Sequence, residues 1–162
     1  HTPIRRQRQM CIRDSPRSLF LHTGRPLVSE NGTSTVLHEL VHVAMQRQAT
    51  NDADWIDEGL AEYLSLVLLH RAGGITDGRL KKALKKQAEW GKTAKELARK
   101  SSQAEATAKA VTVFAALHEE IGDRAFRQLV RQLAEPGPAI SAQDLKRYAD
   151  TLHGKGVQSL PE

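Results

Sequence analysis

The 162 residues suffice for one ordinary domain, with a core that hides roughly two-thirds of the unfolded surface. Hydrophobic residues make up 40% and charged residues 27%, a globular balance, and no apolar run reaches the ~18–20 residues that span a bilayer as a helix. The net charge is +5, but the basic residues cluster at Arg5, Arg6, Arg8, Arg13 and Arg17 and at Lys81, Lys82, Lys85 and Lys86, without interleaved aromatics, so nucleic acid is not an expected partner. The lysine stripe reads as a solvated helix face. A single cysteine, Cys11, excludes an intramolecular disulfide and a cysteine-based zinc site.

Residues 1–16 are expected to be a non-native or disordered arm. They are polar and arginine-rich, and residues 9–15 resemble an in-frame translation of a sequencing-library adapter. Residues 18–22 (Ser-Leu-Phe-Leu-His) read as a short strand, and Leu27-Val28 as a second extended piece. Asn31-Gly32 marks a turn, after which Thr33, Ser34 or Thr35 can cap a helix over 35–48. Val36, Leu37, Leu40, Val41, Ala44 and Met45 give that helix an apolar face and predict that it is heavily buried.

Asn51-Asp52 opens a second helix to residue 71, ended by Gly73-Gly74. Its later turns are apolar over most of the circumference, which predicts burial. A third helix is expected over 77–90, a fourth over 103–120 ended by Gly122, a fifth over 123–134 stopped by Pro136-Gly137-Pro138, and a sixth over 141–152 with Ser141 as cap and Gly154 as stop. Trp90 and Phe114 are expected in the core. The fold class is therefore mainly α (α+β), a short N-terminal β element followed by about six helices.

His38-Glu39-Leu40-Val41-His42 matches H-E-x-x-H. Residues four apart share a helix face, about 6 Å apart along the axis, so two imidazoles can converge on one ion. Glu39 lies beside them and can reach a water activated by that ion, the position of a general base. Zinc takes a third protein ligand and keeps a fourth position open. On the second helix Glu58 and Glu62 are also four apart, and two carboxylates on an otherwise apolar helix are expensive to bury unless paired or metal-bound. Glu58 is the expected third ligand, with Glu62 accepting a hydrogen bond from the free nitrogen of a ligand histidine. Gly59 allows close approach to a neighbouring helix or to the metal.

His38 to His42, followed by Trp55-Ile56-Asp57-Glu58-Gly59-Leu60-Ala61-Glu62-Tyr63, resembles the gluzincins. These zinc peptidases include thermolysin, the aminopeptidase N-like enzymes and the compact bacterial peptidase MA-like proteins. The resemblance extends over roughly 17–156, through Lys109 to Leu117, Ile121-Gly122-Asp123 and Phe126. It implies a zincin-like domain over 17–162, truncated at its N-terminus, that hydrolyses peptide bonds with Zn2+ held by His38, His42 and Glu58, Glu39 as base, and a peptide or protein as substrate. It also implies a parent protein that is exported or membrane-attached.

Two positions depart from the aminopeptidase N-like pattern. Thr107 stands where those enzymes carry an oxyanion-steadying tyrosine, leaving Tyr63, His118 and His153 as substitutes, and their glycine-rich exopeptidase segment is missing. These departures sustain an alternative, a catalytically inactive zinc-bound domain that binds a peptide or protein partner. Endo- versus aminopeptidase action stays open. His22 and His70 read as incidental.

Overall fold

A computed structural model describes residues 27–29, 32–94, 97 and 103–161. Five helices follow in chain order: α1 (Thr35–Ala44), α2 (Trp55–Arg71), α3 (Asp77–Gly91), α4 (Gln103–Ala134) and α5 (Ala142–His153). Among the described residues there is no strand, only an isolated parallel bridge between Ala49 and Ile140. The expected strand at 18–22 lies outside the described residues, and Leu27-Val28 forms a bend. The molecule is mainly helical.

Local chemistry sets several ends where the residue types call for them. Ser34 caps α1, its hydroxyl accepting from the Leu37 N–H at 3.4 Å. Ser141 and Asp144 form a capping box on α5, which closes at Gly154 in the left-handed region. The stretches expected as separate helices over 103–120 and 123–134 both fall within α4 and meet at a kink: Gly122, between them, lies at φ 80° and ψ 160°, a region open essentially to glycine alone.

α1 is shorter than its apolar pattern predicts, and tertiary contacts explain why. Met45 is extended, and residues 47–50 are drawn onto other elements. Arg47 Nε donates to the Glu135 carbonyl at 3.1 Å, and its Nη1 donates to the Tyr148 hydroxyl at 3.1 Å. The Ile140 N–H donates to the Gln48 carbonyl at 2.9 Å, and the Thr50 N–H to the Ile140 carbonyl at 2.9 Å. The Ala49 N–H is taken by the Asp57 carboxylate at 3.0–3.1 Å. These bonds replace the ladder that a longer α1 would make.

α2 is the central element, packed against α1, α3 and α4. Ala61, Ser65 and Leu66 are completely buried, as its apolar circumference predicts. The core continues through Val111, Phe114, Leu117 and Leu129 of α4 to Leu145 and Ala149 of α5. Two expectations about burial are corrected. Of the α1 side chains only Val41 is buried, while Leu40 and Val43 are 44% and 43% exposed, because α1 packs mainly on α2 and covers one side only. Trp90 is 45% exposed, because the buried positions of α3 are 83, 87 and 91; its indole instead lies under the Lys86 ammonium, 4.9 Å from the ring centre.

Gly59 marks a close approach of α2 to α4. A methyl placed there would sit 2.4 Å from Ala110 Cβ. Gly59→Ala is therefore expected to destabilise the fold by about 1–3 kcal/mol through overpacking, despite the better helix propensity of alanine. Adding Ala110→Gly should recover part of that loss in urea unfolding. A Gly59→Ala variant as stable as the parent would show that the two helices can part freely.

Candidate metal centre

α1 and α2 bring the chemistry together. His38 and His42 lie one turn apart on α1, and Glu58 and Glu62 one turn apart on α2. The 58/62 face of α2 meets α1, while the 59/63 face meets α4, so the close contact at Gly59 seats the helix that carries both carboxylates.

One ligand atom from each of His38, His42 and Glu58 lies within 4.8 Å of the others. The Nε2 atoms of the two histidines are 3.0 Å apart. His38 Nε2 is 3.5 Å from Glu58 Oε2, and His42 Nε2 is 3.6 Å from Glu58 Oε1. The donor set is two imidazole nitrogens and a carboxylate, the set that suits zinc with one position left open. All three side chains are partly buried, between 15% and 25% exposed.

His38 Nδ1 lies 3.1 Å from Glu62 Oε2. A carboxylate only accepts, so Nδ1 carries a hydrogen and Nε2 faces the cluster. This is the tautomer a metal-ligating histidine needs, and a carboxylate behind the ring raises its basicity. Glu39, partly buried, follows His38 on α1, and its charge acts on His42. Asp57, not singled out by the sequence pattern, ties the α1–α2 connector to α2 through the Ala49 N–H, beside Glu58. Gln87 of α3 is also new to the site. It is buried, with Nε2 3.5 Å from Glu62 Oε1. It continues an i, i+3/i+4, i+7 row with Leu80, Ala83 and Leu84, and a polar residue on such a row was its one visible signal.

The remaining histidines fall elsewhere. Tyr63, buried beside Phe126, bonds to His118 Nδ1 at 2.8 Å, and His118 Nε2 lies 3.2 Å from Asp123. Asp123 only accepts, so Nε2 carries the proton and the Tyr63 hydroxyl donates to Nδ1. Burial pushes the Tyr63 hydroxyl up to about 12. Tyr63 and His118 thus face each other. His153 ends α5, His70 pairs with Asp77 at 2.5 Å, and Thr107 lies part-buried on α4. His22 lies outside the described residues.

A mainly helical chain in which His38, His42 and Glu58 fit an H-E-x-x-H arrangement has the features of a gluzincin-type zinc peptidase. Residues 31–127, more than half of the chain, match the family model of M61 glycyl aminopeptidase, and the chain belongs to that family. A search of curated proteins found no match, and neither did one of solved structures. Family and cluster together support peptidase function.

Burial acts to lower the pKa of His38, but the bonds and charges of Glu58 and Glu62 outweigh it and hold the ring at about 9. Burial also lowers His42, against the charge of Glu58. A proton on His38 Nε2, facing Glu58, thus competes for the place an ion would take. In the metal-free fold His38 keeps that proton to about pH 9, against 6.5 for the unperturbed ring. Its contribution to stability is complete below about pH 6.5 and is lost as pH rises through about 9. An ion needs deprotonated rings and reverses the trend. The rise in Tm on adding zinc is therefore expected to be larger at about pH 8.5 than at about pH 6. An equal rise at both would show that no proton competes at His38.

Proposed function

We propose that the protein is a zinc-dependent peptidase in which His38, His42 and Glu58 hold the metal and Glu39 is the general base. The observation that carries this reading is the convergence of two imidazole nitrogens and a carboxylate within 4.8 Å, supplied by consecutive helices. Zinc bound there supplies Lewis-acid polarisation of the scissile carbonyl and brings a water to a near-neutral pKa.

This chain's residues do the rest. The Glu39 carboxylate accepts a proton from the attacking water and returns it to the leaving amine nitrogen. Glu62 holds the His38 Nδ1 hydrogen and keeps Nε2 turned to the cluster. The Asp57 carboxylate secures the connector between the two ligand-bearing helices. The substrate is a peptide or protein, in keeping with the family, and the reaction is hydrolysis of its amide bond.

A second reading, a zinc-bound domain that holds a peptide without cutting it, draws on one observation. Tyr63 and His118, two of the three substitutes for the tyrosine absent at Thr107, bond to each other. One experiment separates the two. Zinc-loaded protein and its Glu39→Ala variant are incubated with a mixed peptide library, and products are read by mass spectrometry. The expected result is cleavage by the parent, a loss of roughly 10²–10⁴-fold in the variant, and equal zinc content in both. Undiminished cleavage by Glu39→Ala removes that residue from the mechanism. Retained zinc and peptide binding with no cleavage by the parent selects the second reading.

A further inference from the structure

α3 faces solvent with its lysines and the core with Ala83, Gln87 and Gly91. Gln87 is only 9% exposed, and a buried amide is unfavourable unless its N–H groups find acceptors. Its Nε2 lies 3.5 Å from Glu62 Oε1, and the other oxygen of the same carboxylate lies 3.1 Å from His38 Nδ1. α3 and α1 thus hold the two oxygens of one carboxylate borne by α2.

We propose that Gln87 is a positioning residue of the metal centre, donating its amide N–H to Glu62 and so fixing the plane of the carboxylate that orients His38. The proposal rests on the reading of His38, His42 and Glu58 as metal ligands.

The residue type suits the task. Glu62 is useful to His38 through its negative charge as well as its geometry. An ammonium or guanidinium at position 87 would orient Glu62 but neutralise it, weakening its pull on the His38 Nδ1 hydrogen. A carboxylate would repel it. A carboxamide donates a hydrogen bond and leaves the charge in place. Lys86, the adjacent residue, places its ammonium over the Trp90 ring. α3 carries none of the proposed metal ligands; Gln87 is its contact with Glu62.

The test compares zinc affinity in the parent, Gln87→Met and Gln87→Glu by competition with a chromophoric chelator, with the visible absorption of the cobalt-loaded proteins as a geometric readout. Both substitutions keep the length of the side chain. Methionine removes the donor; glutamate replaces it with a like charge. Zinc binding is expected to weaken about tenfold in Gln87→Met and further in Gln87→Glu, with altered cobalt bands in both. The metal-free Gln87→Met protein should melt no lower than the parent, because it has lost a buried polar group. Should Gln87→Met fail to fold, Gln87→Glu decides by the same two measurements.

A role in packing alone would leave zinc affinity and cobalt spectrum at parent values in both variants. That result overturns the proposal while the metal-site reading stands, provided His42→Ala abolishes tight zinc binding in the same assay. A parent protein that binds no zinc overturns both.

Discussion

Two carboxylates on one face of a buried helix set the terms for the rest of this molecule. α2 is packed on three sides, so Glu58 and Glu62 leave bulk water only if other groups take up their charge. α1 answers with two histidines at the same one-turn spacing. Glu62 takes the Nδ1 side of His38, and Glu58 faces both Nε2 atoms. Without an ion, a proton held by His38 to about pH 9 partly satisfies the cluster. The carboxylates that make α2 awkward to bury thus make the cluster a place that favours positive charge.

A neighbouring face of α2 explains how that arrangement is held still. Gly59 and Tyr63 lie on α4, the first by backbone approach to Ala110 and the second through its hydroxyl to His118. His118 stacks on Phe126 at 4.2 Å and bonds to Asp123, which also receives Arg71 and Arg127. This network spans Gly122, where α4 loses helical geometry, and ties the end of α2 to the break. Tyr63 and His118, attractive as reactive groups when taken singly, serve here as the anchor of the helix that presents Glu58 and Glu62. Chemistry and support are divided between two faces of α2, offset by one residue.

Much of the fold was legible because its signals are local. Ser34, Ser141 and Gly154 mark helix ends through bonds made within a turn of the chain, and α2 announces its burial by composition alone. The extent of α1 was not legible, because the contacts that end it come from Ile140, Leu133, Glu135 and Tyr148, some ninety residues away or more. The exposure of Leu40, Val43 and Trp90 was hidden for a similar reason. An apolar residue at helical spacing declares a preference for the interior, and which side of the helix is covered depends on the neighbours that pack there.

The candidate site divides in the same way. By itself the sequence determined which residues could meet: four-residue spacing puts His38 with His42 and Glu58 with Glu62 on common faces, since helix geometry depends on nothing beyond the helix. Only the tertiary structure decided that those faces look at each other. It also decided that His38 rather than His42 turns its Nδ1 hydrogen to Glu62, that Asp57 holds the connector, and that Gln87 arrives from α3. Those contacts join side chains from separate helices. Their geometry is set by how α1, α2, α3 and α4 pack, a property of the whole core that no short stretch of sequence encodes.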